Sequence, residues 1–108
     1  MTLHIHDFVI ETIRLFAPIV RAIERHDRSL GDQMRRALAS VALNLSEGAG
    51  SQRGNRRLRF ETACGSAKES RSCYEVASAF SYITLDAALG DRLDRIAATT
   101  YRLARPAT

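Results

Sequence analysis

Tryptophan is absent from this 108-residue chain, lysine occurs once against fifteen arginines, and cysteine, methionine and proline occur twice each. The scarcity of cysteine excludes most. Cys64 and Cys73 are nine residues apart, which on one helix sets them roughly 180° apart around the axis and about 13 Å along it. Thiols so placed cannot bridge, and a zinc site would need a paired C-x-x-C spacing with further ligands. Two small buried thiols in a reducing compartment are expected instead. No run of apolar residues reaches the length of a membrane span, so no membrane partner is expected. The segment Met1-Thr-Leu-His-Ile-His-Asp7 lacks the charged start and apolar middle of a secretion signal, and the expected location is cytoplasmic.

The six glycines are equally informative by their placement. Gly48, Gly50 and Gly54 are spaced G-x-G-x-x-x-G, but they follow a helical pattern rather than a strand and lack the Gly-Lys-Ser/Thr ending of a phosphate loop. His4 and His6 are two apart, the wrong spacing for one face of a helix, and read as a frayed start of the chain rather than a metal site. His26 reads as a partner for a helix dipole. No Ser-His-Asp order and no His-Glu-x-x-His is present. Neither a cofactor nor a metal is expected, and enzyme is the weakest of the functional classes.

What the chain has in quantity is helical periodicity. Helix 1, about residues 6–26, repeats Ile5, Phe8, Val9, Ile13, Phe16, Ile19, Val20 and Ile23 as a core stripe, with Pro18 inside it predicting a kink one turn earlier. Helix 2 is expected to start after Ser29 as N-cap and to end at Gly48 or Gly50 in a left-handed cap. Helix 3 is expected over about residues 55–83. Helix 4, about residues 86–105, buries Leu89, Leu93, Ile96, Thr100 and Leu103 and stops at Pro106. Short links between amphipathic helices predict one domain over residues 1–108, all-α, an up-down-up-down antiparallel four-helix bundle.

On a helical wheel Met34, Leu38, Val41 and Leu45 form the core side of helix 2, and Ala37, Ser40, Asn44 and Glu47 a polar stripe about 100° away. Leu43 lies opposite the core beside Arg36. Helix 3 also has two stripes: Phe60, Ala63, Ala67, Ser70, Tyr74 and Ala77 on one, and Thr62, Ser66, Glu69, Cys73, Val76, Phe80 and Ile83 on the other. So much small or apolar circumference is more than one bundle covers, so self-association through a face that includes Arg36 and Leu43 is expected. A carboxylate on a mostly buried helix needs hydrogen bonds. Asn44, Ser66 and Glu69, with Arg36 beside them, are therefore expected to form a buried polar network that fixes helix register.

Charge is concentrated in the middle of the chain. Residues 28–60 carry seven arginines against Asp32 and Glu47, while the flanking thirds are close to neutral, so the net +4 arises there. Arg53, Arg56, Arg57 and Arg59 sit at the start of helix 3, against the favourable sign of its dipole, a cost that a bound anion would relieve. Arginine suits bidentate phosphate contact, so RNA or DNA is one expected partner, the alternatives being an acidic protein or a merely solvated basic face.

The strings Gln33-Met-Arg-Arg-Ala, Ser40-Val-Ala-Leu-Asn-Leu-Ser-Glu-Gly48, Gly65-Ser-Ala-Lys-Glu69 and Glu75-Val-Ala with Ser81-Tyr-Ile83 resemble the bacterial four-helix-bundle family first named for open reading frames inside intervening sequences of large-subunit ribosomal RNA genes. The likeness covers nearly the whole chain in order. It implies a ring-like homo-oligomer, commonly a pentamer, with no catalytic activity. A related branch, the accessory variability determinant of diversity-generating retroelements, is a basic bundle that binds a reverse transcriptase and nucleic acid; the match here is to the parent family. The expected function is a non-enzymatic homo-oligomeric scaffold that binds nucleic acid through its Arg-rich loop. The alternative is a structural protein-interaction module without a nucleic-acid role.

Overall fold

Four helices account for most of the chain: α1 (His4–His26), α2 (Arg28–Ala49), α3 (Arg53–Ala79) and α4 (Ala87–Ala104). The computed structural model describes residues 4–106; the start of the N-terminal segment weighed above, residues 1–3, lies outside them. Among the described residues there is no strand, and no helix is long and apolar enough to cross a membrane. His4 already lies within α1, and the helix runs through Pro18.

Side-chain pairs fix the topology. Along α2 and α3, Gly48 meets Phe60, Ser40 meets Ser66 and Gln33 meets Glu69, so residue numbers fall on one helix as they rise on the other. The same inversion links α3 to α4, through Glu61 with Arg105, Cys64 with Ala97 and Tyr74 with Asp86. It also links α1 to α4, where the Arg92 guanidinium lies 4.0 Å above the Phe8 ring and donates to Thr12 Oγ1 at 2.9 Å. The result is an antiparallel up-down-up-down bundle 44 × 22 × 19 Å in extent. Its axis is filled by Phe16 and Ile23 of α1, Met34 and Leu45 of α2, Phe60 and Tyr74 of α3, and Leu93 and Ile96 of α4, all at most 1% exposed. Tyr74 packs edge-on to Phe16 with centroids 5.0 Å apart, and its hydroxyl accepts from the Asp86 backbone N–H at 2.8 Å. Both cysteines are buried and unbridged; burial, and secondarily the charge of Glu69, pushes the Cys73 thiol up.

Helix ends differ from the expectation in three places. The N-cap of α2 is Asp27, not Ser29: its carboxylate accepts from the Leu30 N–H at 3.0 Å. A single residue separates α1 from α2, so the cap is placed by the end of α1 and Ser29 is drawn into the first helical turn. Gly48 and Gly50 take no left-handed conformation; Gly50 has φ −89°. Gly48 serves through its missing side chain, since a Cβ there would lie 2.6 Å from Phe60 Cε1. Helix α3 ends at Ala79 rather than near residue 83, because Ser81 turns left-handed at φ 63°. Its N–H then bonds the Ser78 carbonyl and the Tyr82 N–H reaches back to Ala77 at 2.9 Å, the paired closure usually built on glycine. That turn stacks Phe80 on Tyr82, with ring centroids 5.3 Å apart, and Tyr82 on His26 at 5.1 Å.

The close approach of α1 to α2 depends on Gly31, where a Cβ would come within 2.9 Å of the Glu24 backbone nitrogen. Gly65, by contrast, is an exposed helical glycine with nothing within 4 Å of a Cβ. Gly31→Ala and Gly48→Ala should each destabilise the fold by about 1–3 kcal/mol through overpacking, whereas Gly65→Ala should stabilise it by about 0.5–1 kcal/mol through helix propensity. Urea denaturation of the three variants checks this, and a neutral Gly48→Ala would show that Phe60 has room to move.

Candidate nucleic-acid interface

The connection from α2 to α3 is short and internally tied. Ser51 Oγ donates to the Glu47 carbonyl at 2.7 Å, and Asn55 Nδ2 donates to Ser51 Oγ at 2.9 Å. Gln52 occupies the N-cap of α3 but supplies no side-chain hydrogen bond, and the first turn holds no acidic residue. The positive end of the helix dipole is therefore left facing arginines rather than a carboxylate. Arg53, at φ 51°, and Arg57 are exposed. Arg56 is half-buried; it donates to the Gly48 carbonyl at 3.4 Å and lies 4.9 Å from the centre of the Phe60 ring.

These three arginines converge with one from the other end of the chain. Arg53, Arg56, Arg57 and Arg105 rim a cleft of about 480 Å³ whose floor is Leu103, Ala104 and Pro106. Arg105 is fixed by three contacts: its guanidinium lies 3.9 Å above the Tyr101 ring and 3.7 Å from Glu61 Oε1, and its Nη1 donates to the Tyr101 carbonyl at 3.4 Å. Glu61 also accepts from Arg57 Nε at 2.9 Å. That hydrogen bond, reinforced by the charges of Arg57 and Arg105 against a smaller opposing desolvation, holds the Glu61 carboxyl below the usual carboxylate range. The sign follows directly: this pairing is present above the ordinary carboxylate pKa and is lost as pH falls through the lowered one. Among the described residues no carboxylate pairs with Arg53 or Arg56.

Arg59 is not part of this cleft. It points along the seam between α2 and α3, where its Nη1 donates to Asn44 Oδ1 at 3.4 Å and its buried Nε has no partner. The seam carries a polar ladder. Asn44 Nδ2 donates to the Ser40 carbonyl at 2.9 Å and to Ser40 Oγ at 3.1 Å, and Ser40 Oγ lies 2.8 Å from Ser66 Oγ. Ser40 is thus the hub that connects Asn44 to Ser66. Glu69 departs from the expectation of a buried network, for it is exposed and accepts only from Gln33, at 3.3 Å. The antiparallel register sets Glu69 opposite Gln33, three turns of α2 away from Asn44, and the Asn44 amide N–H groups donate within their own helix. Arg36 does not join the ladder by a hydrogen bond either; its Nε pairs with Asp32 at 3.2 Å. Arg36 and Glu69 do share a shallow polar cleft of about 280 Å³ with Gln33, Ser40 and Ser66. Leu43 projects outward at 65% exposure, as the wheel requires.

Sequence reasoning missed Ser40 as hub and Arg105 as rim. The first was signalled by its i−4 spacing from Asn44. The second had no local signal, because only the pairing of α3 with α4 carries it to Arg57.

Residues 5–102 match the family whose description is 23S rRNA-intervening sequence protein. No curated protein and no solved structure matches the chain.

The ladder ranks its members. Asn44→Ala should cost about 1–3 kcal/mol, because it strips the half-buried Arg59 guanidinium of its acceptor. Glu69→Ala should shift stability by under about 0.5 kcal/mol, as expected at an exposed site. Chemical denaturation of the two variants decides the ranking, and equal losses would restore Glu69 to the network.

Proposed function

The chain belongs to the 23S rRNA-intervening sequence protein family, and on that footing we propose that it is a non-enzymatic, self-associating helical scaffold that binds RNA through the arginine-rich start of α3. The observation that carries this reading is the convergence of Arg53, Arg56, Arg57 and Arg105 at one end of the bundle, next to a helix N-terminus with neither a side-chain cap nor an acidic residue. Both features favour phosphate: guanidinium groups form bidentate contacts with its oxygens, and free N–H groups at a helix start add to the attraction. Elsewhere Arg35 and Arg36 pair with Asp32, Arg71 with Glu75 and Asp94, and Arg92 with Glu11, and the cleft lined by Arg21, Arg25 and Arg28 includes Glu24, whereas among the described residues no carboxylate lines the cleft at the start of α3.

Self-association is supported by apolar surface on the two central helices. Leu43 and Leu58 are 65% and 59% exposed, and Phe80 at the end of α3 is 63% exposed. These residues gain burial only against another surface, and a second copy of the chain supplies one that is always present. A closed ring would repeat the arginine cluster in every subunit, so that individually weak phosphate contacts add through multivalency.

Two measurements follow. Light scattering behind a sizing column should give a mass several-fold above the 12.0 kDa of one chain, close to five copies, with Leu43→Lys lowering it; a monomer at micromolar concentration removes the scaffold. RNA titrated at several salt concentrations should bind with an affinity that falls steeply with salt, and changing Arg53, Arg56 and Arg57 together to Gln should flatten that slope. If the wild type shows no salt-sensitive binding at about 50 mM salt, the basic surface meets an acidic protein instead.

A further inference from the structure

The cleft between the start of α3 and the end of α4 is chemically two-sided. Its rim is cationic, with Arg56 and Arg57 from α3 and Arg105 from α4, while its floor is the apolar surface of Leu103, Ala104 and Pro106. A phosphate alone would satisfy the rim and leave the floor wet. A duplex would offer phosphates but keep its bases stacked inside the helix, out of reach of the floor. We propose that this cleft holds one unpaired nucleotide, its phosphate between the guanidinium groups of Arg56, Arg57 and Arg105 and its base against Leu103 and Pro106.

The dimensions agree with that ligand. A volume of about 480 Å³ lies within the range of small-molecule sites, roughly 300–1,000 Å³. The cation contributed by α4 is preorganised, since Arg105 is held over Tyr101 and beside Glu61; a guanidinium already fixed loses less freedom on binding. Arg57 is steadied in the same way by its bond to Glu61. Apolar contact with a base face is indifferent to sequence, so the site selects unpaired strand over duplex without selecting a sequence. This inference rests on the RNA-binding reading above for the source of the nucleotide, but the chemistry it names, a nucleoside monophosphate unit, is equally that of a free nucleotide.

The test uses the full chain in its native assembly and two variants, Arg105→Gln and Pro106→Asp, neither of which alters a core residue. Fluorescence anisotropy with a labelled unpaired RNA and a duplex of equal length should show the unpaired strand bound about tenfold tighter. Both variants should reduce that preference to about twofold or less; each also removes net positive charge and so weakens duplex binding, but by a smaller factor than it weakens binding of the unpaired strand. Uridine 5′-monophosphate should displace the unpaired strand at lower concentration than inorganic phosphate or uridine alone. If RNA binds but strand type and Pro106→Asp make no difference, the cleft inference is overturned and the RNA reading stands. If RNA fails to bind while uridine 5′-monophosphate gives a calorimetric signal that Arg105→Gln removes, the RNA reading falls and the cleft is a free-nucleotide site. A phosphoserine peptide that competes as well as the nucleotide would overturn the assignment to a nucleobase.

Discussion

The ring of Phe60 lies against Gly48 with no space for a methyl group between them, and most of what distinguishes this bundle depends on that contact. It brings the end of α2 close to the start of α3 and sets the register of the longest helix pair. With the register set there, Ser40 meets Ser66 and Gln33 meets Glu69 further along. It also determines how far α3 projects beyond α2, and so where the arginines of its first turn stand. Arg56 ties into the same place, donating to the Gly48 carbonyl while resting near the Phe60 ring. One close contact thereby positions part of the basic surface as well as the core.

Electrostatics then separates the arginines into two populations. Arg35, Arg36, Arg71 and Arg92 lie near carboxylates on the same or a neighbouring helix, in surface pairs of the kind that contribute little to stability individually. Asp32 shows the effect: the hydrogen bond from Arg35, with the charges of Arg36 and Arg35 behind it, lowers its pKa. The second population stands at the α3 start, where Glu61 is shared between Arg57 and Arg105. A single carboxylate between two guanidinium groups steadies both and neutralises neither completely. One cluster of positive charge thereby stands at one end of a 44 Å rod.

The opposite end is built by different means. A serine in a left-handed conformation ends α3 and aligns Phe80, Tyr82 and His26 into a run of stacked rings. Strain at one residue is offset by the hydrogen bonds and ring contacts it permits. Because periodicity continues through Val76, Phe80 and Ile83, the apolar pattern alone argued for a longer helix. Nothing in that pattern reports a backbone turn closed by hydrogen bonds to the Ser78 and Ala77 carbonyls and covered by the His26 ring of α1.

Helical class, number of helices and the inner stripes of α2 and α3 were legible in the residues, because an amphipathic helix must repeat its apolar side chains with the period of its own backbone. The concentration of charge in Arg53, Arg56 and Arg57 was legible for the same local reason. The polar positions Asn44 and Ser66 were legible as exceptions to the apolar pattern, but their connection through Ser40 and the exclusion of Glu69 were not. Nor were the cap at Asp27 and the arrival of Arg105 at the cleft. Each of these depends on which residues face one another across two helices, or on where a neighbouring helix ends. Periodicity carries the face of a helix but not its axial offset, so sequence alone determined what each helix buries, and only packing in three dimensions decided what each polar side chain meets.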